Sequence, residues 1–131
     1  LMIGAISYVN DLEKAFREAS RVMKPDGSIV VAFLAKGRKF ADLYERAAKD
    51  GDYPEGESPE FPYPIDFAKE AKWRSVDEVV THLHECGFVA LETVQTLTGE
   101  PKDANDMVEL PKPGYDSGSW IVIRGTKKSL K

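Results

Sequence analysis

His82, His84 and Cys86 are the residues whose types and spacing come closest to a metal site. Residues four apart share one face of a helix, so His82 and Cys86 would present an imidazole and a thiol side by side, which are zinc-type ligands. His84 falls on another face and no fourth ligand follows nearby, so a structural helix is the preferred reading and no metal is expected. Asp116-Ser117-Gly118 sets a hydroxyl beside a carboxylate, but nucleophilic catalysis also needs a positioned imidazole and an oxyanion hole. Gly114 and Gly118 instead read as shaping the loop that feeds the last strand. Aromatic side chains form the third group: Tyr53, Phe61, Tyr63, Phe67 and Trp73 lie in the Pro-rich stretch 51–73, with Tyr44 just before it. They suit either an apolar ligand pocket or a small core that holds a long insert down.

The elements that must position these groups follow from periodicity. Leu1 to Val9 is short and apolar, interrupted by Gly4 and Ser7, and reads as the end of a buried strand running into a loop. Asn10 with Glu13 has the pattern of a capping box. Leu12, Ala15, Phe16, Ala19, Val22 and Met23 then line one helical face that must stop before Pro25. Lys24-Pro25-Asp26-Gly27 suits a type I turn into a strand, Ile29 to Leu34, whose lack of polar alternation predicts burial on both faces. A second helix is expected from about Arg38 to Asp50. Ser75 and Glu78 form a clearer capping box, Val76, Val79, Val80 and Leu83 share a face, and Gly87 fits the left-handed end. Phe88 to Leu97 reads as a strand, Thr98 to Ser117 as a second long loop, and Ser119 to Arg124 as a final strand. Early alternation of strand and helix predicts parallel pairing. The last two strands have no helix between them and should be antiparallel.

With 131 residues, 42% hydrophobic and 31% charged, the composition is globular, and no apolar run approaches the roughly 18 residues needed to cross a bilayer. A net charge of -4 and a pI near 5.2 argue against nucleic-acid or anionic-membrane partners. The basic residues from Arg124 through Lys127 and Lys128 to Lys131 read as a solvated tail. The single cysteine, Cys86, excludes an internal disulfide and fits a cytoplasmic setting.

Tyr8 to Phe33, containing Arg21-Val22-Met23-Lys24-Pro25-Asp26-Gly27, resembles the second half of class I S-adenosylmethionine-dependent methyltransferases of the small-molecule type. In that family a strand leads to an aromatic-apolar pair, here Tyr8-Val9, before an acidic residue, here Asp11. A helix ending in Arg-Val-Leu-Lys-Pro-Gly-Gly and a buried strand follow. Asp26 stands where the first Gly is usual. Trp73 to Phe88 resembles the family's later helix, and the stretches from Val94 and from Gly114 resemble a closing hairpin of one subgroup.

The resemblance implies an α/β fold with a partial Rossmann-like sheet: the end of strand 4, then strands 5, 6 and 7 of the order 3-2-1-4-5-7-6, an antiparallel closing strand and flanking helices. The sequence has no G-x-G-x-G, so the expectation is that residues 1–131 are the C-terminal part of the domain, with a Pro- and aromatic-rich insert at 51–73. The glycine-rich cofactor loop and the remaining strands would lie upstream of Leu1. The implied cofactor is S-adenosyl-L-methionine, passing Ile3, Gly4, Ala5 and Ile6, where small residues let a ligand near the backbone. Tyr8 would close over the methyl donor or pack on the first helix; Tyr44, Phe67 and Trp73 join it as candidate acceptor contacts, and the loop at Gly114 and Gly118 borders the same site. Methyl transfer needs aligned reactants in a dry site, so no catalytic residue is named. The expected activity is methyl transfer to a small molecule by the intact protein, with the isolated chain inactive. The rival is a non-catalytic α/β interaction module; a nucleic-acid methyltransferase is disfavoured by the acidic pI. A homodimer through an exposed sheet edge is expected, with Phe16 and Val22 adding to the contact.

Overall fold

The computed structural model describes residues 1–129. Its sheet has five strands, β1 (Met2–Ile3), β2 (Ser28–Leu34), β3 (Phe88–Thr96), β4 (Lys112–Pro113) and β5 (Trp120–Lys127), in the spatial order β1-β2-β5-β3-β4. β1 runs parallel to β2, with Met2 opposite Val31. The last strand, β5, inserts antiparallel between β2 and β3 along their length. Thus β1, β2, β5 and β3 reproduce the expected 4-5-7-6 half of the sheet, and β4 is an added two-residue edge.

The helices are α1 (Leu12–Val22), α2 (Lys39–Asp50), α3 (Ile65–Glu70) and α4 (Val76–Glu85). Phe16 from α1 and Val76, Val79 and Leu83 from α4 join one core cluster with Ile29, Val31 and Phe33 of β2 and Ile121 and Ile123 of β5. The inner residues of β2 are buried on both faces, as its unbroken apolar run requires. A second cluster gathers Phe40, Leu43 and Tyr44 of α2 with Ala68 of α3, against Leu34 and Leu97 at the strand ends. Among the described residues no helix is long and apolar enough to cross a membrane.

Several local expectations need correcting. The cap of α1 is Asp11, whose carboxylate accepts from Lys14 N at 3.0 Å, because the Asn10 side chain is taken by Lys72. The turn at Lys24–Gly27 is not type I: Asp26 has φ 66°, the left-handed conformation that type II demands of the third residue and that glycine adopts most readily. Asp26 N donates to Lys127 O and Lys127 N to Gly27 O, stitching this turn to the end of β5. Arg124 and Lys127 therefore belong to β5 and not to a solvated tail, and Lys127 Nζ donates to the Met23 carbonyl at 2.7 Å, capping α1. Lys131 lies outside the described residues. Val22 is 69% exposed while Phe16 is fully buried, so Phe16 is spent on this chain's own core and cannot serve a dimer contact. The insert 51–73 is not wholly irregular, since α3 forms directly after Pro64. Ser75 caps α4 as expected, its Oγ accepting from Glu78 N at 3.1 Å, and Gly87 is left-handed at φ 89°, but the Glu78 carboxylate turns to Arg74 and does not close the capping box.

Candidate functional site

In open α/β sheets the crevice beyond the carboxyl ends of parallel strands is where ligands bind. Here that place is the segment leaving β1. Gly4 takes φ 67°, its N–H donates to Ala32 O at 2.7 Å, and a side chain built on it would meet nothing within 4 Å. The left-handed conformation explains the glycine, and the open space leaves its backbone approachable. Ile3 and Ala5 are exposed beside it, whereas Ile6 is fully buried in the core. The four candidate cofactor residues are therefore unlike: Ile3, Gly4 and Ala5 face outward, and Ile6 anchors the 3-10 turn Ala5–Tyr8 from below.

The insert is clamped onto this turn. Lys72 N donates to Ser7 O at 2.6 Å, Lys72 Nζ to Asn10 Oδ1 at 2.7 Å, Arg74 Nη2 to Val9 O at 2.6 Å and the Tyr8 hydroxyl to Phe67 O at 3.3 Å. Arg74 also pairs with Glu78 at 2.9 Å and bridges to Ala35 beyond β2. It thus ties together the exits of β1 and β2 and the start of α4. Sequence reasoning missed Arg74; its only signal was its position just before the Ser75 cap.

Tyr44 is the hub of the aromatics. Its ring centroid lies 5.4 Å from Tyr63, 5.8 Å from Trp73 with the rings stacked, and 6.1 Å from Tyr53; Tyr63 in turn lies 6.1 Å from Phe67. The Tyr53 hydroxyl donates to Tyr63 O. Burial, reinforced by Tyr53, pushes the Tyr44 phenol up to about 12 against a backbone hydrogen bond at Tyr63 that lowers it. A phenol so held keeps its proton at neutral pH and is no base. Tyr44, Tyr53, Tyr63 and Trp73 consequently form the small core of the insert. Tyr8 and Phe67 stay 44% and 56% exposed at its edge, and Phe61 is 81% exposed outside the cluster.

The loop before β5 is built by one residue. Gln95, 1% exposed, donates from Nε2 to Asp116 Oδ1 at 2.6 Å and Pro113 O at 3.1 Å, and its Oε1 accepts from the N–H groups of Ser117 and Gly118. The Gln95 hydrogen bond holds the Asp116 carboxyl below its usual range. Arg38 donates to Gly118 O at 2.7 Å and to Tyr115 O. Asp116-Ser117-Gly118 is thereby committed to loop shape, and a Cβ at Gly118 would lie 2.7 Å from Thr96 O. The larger clefts lie elsewhere. One of about 660 Å³ beside α2 is spanned by the pairs Lys39–Glu100 and Arg46–Glu57, and one of about 710 Å³ is lined by Phe40, Leu97 and the loop 99–110.

The family model described as "Methyltransferase domain" matches residues 1–31. An uncharacterized protein of Methanocaldococcus jannaschii is 27% identical over 127 residues, 97% of this chain and 54% of the relative. An uncharacterized protein of Mycobacterium tuberculosis is 27% identical over 122 residues, 93% of this chain and 38% of that protein. The chain thus spans about half the length, or less, of these curated relatives. Among solved structures, a crystal structure described as an S-adenosylmethionine-dependent methyltransferase, possible histamine N-methyltransferase, from Thermotoga maritima is similar with a TM-score of 0.79 and 30% identity, covering 97% of this chain and 54% of that one.

Proposed function

We propose, from the chain's kinship in sequence and fold with class I S-adenosylmethionine-dependent methyltransferases, that it serves methyl transfer from S-adenosylmethionine to a small-molecule acceptor. The observation that carries this reading is the pairing of a half-sheet in 4-5-7-6 order with an open, glycine-marked turn at the carboxyl end of β1. That turn fits one flank of the cofactor: the outward face of Ile3, Gly4 and Ala5, with Ile6 fixing the backbone beneath them. When bound, the cofactor supplies an electrophilic methyl group on a sulfonium. These 131 residues hold no glycine-rich loop, and the proposal assigns the remaining cofactor contacts to sequence outside this chain, as the greater length of the relatives invites.

The chain's own residues act by position. Tyr8 and Phe67 offer exposed rings joined by the Tyr8 hydroxyl's hydrogen bond to Phe67 O, and the clamp through Lys72 and Arg74 holds this segment against the turn. Exposed aromatic rings suit a small organic acceptor, and an amine would agree with the description of the Thermotoga relative. Tyr44 and Trp73 support this wall from behind. No side chain is assigned as a base, and attack by a neutral amine needs none before the methyl is transferred.

The free side of β1 favours the rival reading, an interaction module, because an unpaired strand edge recruits another strand. On the present proposal that edge pairs with further sheet in the intact protein, and in the isolated chain it draws two copies into a homodimer. The test is an assay of S-adenosylhomocysteine release from the longest form that the gene encodes, with a panel of small amines. Phe67→Ala should raise the acceptor KM about tenfold with kcat changed less than threefold. Release that is absent with every acceptor would favour the module.

A further inference from the structure

α1 and α4 pack side by side against the sheet, and where the first turn of α1 meets the last turn of α4 three ligand-type side chains converge. Glu13, His82 and Glu85 place ligand atoms within 4.8 Å of one another. His82 Nδ1 is fully buried and has no hydrogen-bond partner. It lies 3.5 Å from Glu85 Oε2, outside good hydrogen-bond range. An orphaned imidazole nitrogen flanked by two carboxylates, one from another helix, is a donor set short of its centre. We propose that Glu13, His82 and Glu85 bind a zinc-class divalent cation that ties α1 to α4.

The chemistry favours that class of ion. One imidazole and two carboxylates are borderline-to-hard donors of the kind zinc accepts in four-coordinate sites, with water filling the remaining position. Calcium and magnesium, which prefer six or more oxygens, are poorly served by so few. The charges agree as well: Arg17 pairs with Glu13, and the ion pair recorded for Glu85 is with His82, charged only if protonated, so a dication would supply the charge that the Glu85 carboxylate lacks. Glu13 and Glu85 are 43% and 53% exposed, so both can rotate the short distance that closes a coordination shell around the more buried imidazole. The expectation of no metal rested on the lack of a further ligand near His82 and Cys86. Glu13, far earlier in the chain, supplies it across the helix interface. Cys86 stands outside the cluster, its thiol donating to the Glu13 carbonyl, and His84 is exposed on another face. The ion would tie the two helices together while keeping one position for water, and the inference does not depend on methyl transfer.

Zinc chloride titrated calorimetrically into the chelator-treated chain tests it. One saturable site with a dissociation constant of about 10 μM or tighter is expected, with the melting midpoint raised by roughly 5–10 °C at hundredfold excess. His82→Gln and Glu13→Gln should each weaken binding at least about tenfold while leaving the circular dichroism of the metal-free chain unchanged; Glu85→Gln should act likewise. His84→Ala and Cys86→Ser should bind as the parent does. No saturable binding below about 100 μM, retention of affinity in His82→Gln, or its loss in His84→Ala or Cys86→Ser would each overturn the site.

Discussion

Asp26 is one of three non-glycine residues, with Ala90 and Leu97, whose backbone takes a left-handed φ among the described residues. A left-handed φ of 66° costs an L-residue about 1 kcal/mol or more, with some relief for Asp. The turn itself was legible from Pro25 and Gly27. Its type was not, because Pro at the second position suits types I and II alike and only the third residue tells them apart. Asp26→Gly should therefore be at least as stable as the parent, and Asp26→Ala less stable by about 1 kcal/mol, read from urea unfolding midpoints. Equal destabilisation by both would show that the Asp side chain, and not its backbone, matters. Tyr44 gives a second handle. Its folded-state pKa of about 12 lies above the unfolded 10.0, so below pH 10 both states keep the proton and stability is unaffected. From pH 10 to 12 only the unfolded chain ionises, and stability is lost as pH rises through that window. Melting midpoints should fall across it, and Tyr44→Phe should lessen the fall; an unchanged slope would mean the ring is not buried as described.

At the scale of elements, the parallel pairing of β1 with β2 and the antiparallel pairing of β3 with β5 were readable from where helices fall between strands, whereas the strand order followed only from the family resemblance. α3 was hidden by the prolines around it, yet Pro64 is the residue that starts it. The clamp was hidden for a different reason: Tyr8 with Phe67, Asn10 with Lys72 and Val9 with Arg74 join residues about sixty apart, and neither periodicity nor propensity reports such contacts. Gln95 was missed likewise, since in the sequence it is one polar residue of an alternating strand. It holds the loop 113–118 through hydrogen bonds from both ends of its amide. Gln95→Leu should leave the Ser117 and Gly118 N–H groups unpaired, lower stability by about 2 kcal/mol and make that loop the first site of limited proteolysis. Protection of the Gly118 amide from hydrogen exchange should drop with it. An unaltered cleavage pattern would show that Arg38 alone fixes the loop.

At the scale of the molecule, the five-stranded sheet ends on one side at β1, paired only with β2 among the described residues, and beyond β1 lies a turn where Ile3 and Ala5 are exposed and Gly4 stands open. On the proposed function, this chain supplies one flank of a cofactor crevice with the exposed rings of Tyr8 and Phe67, and sequence outside these residues supplies the remaining contacts. Affinity for S-adenosylmethionine should accordingly belong to the assembled whole, because a flank without the ribose and amino-acid contacts cannot offset the entropy of capture. The direct measurement is calorimetric titration of S-adenosylmethionine into the longest form that the gene encodes and, in parallel, into the present chain. Micromolar binding to the former and none tighter than about 1 mM to the latter are expected, a gap of about 4 kcal/mol. Micromolar binding to the chain alone, or no binding to the longest form, would contradict the proposed function.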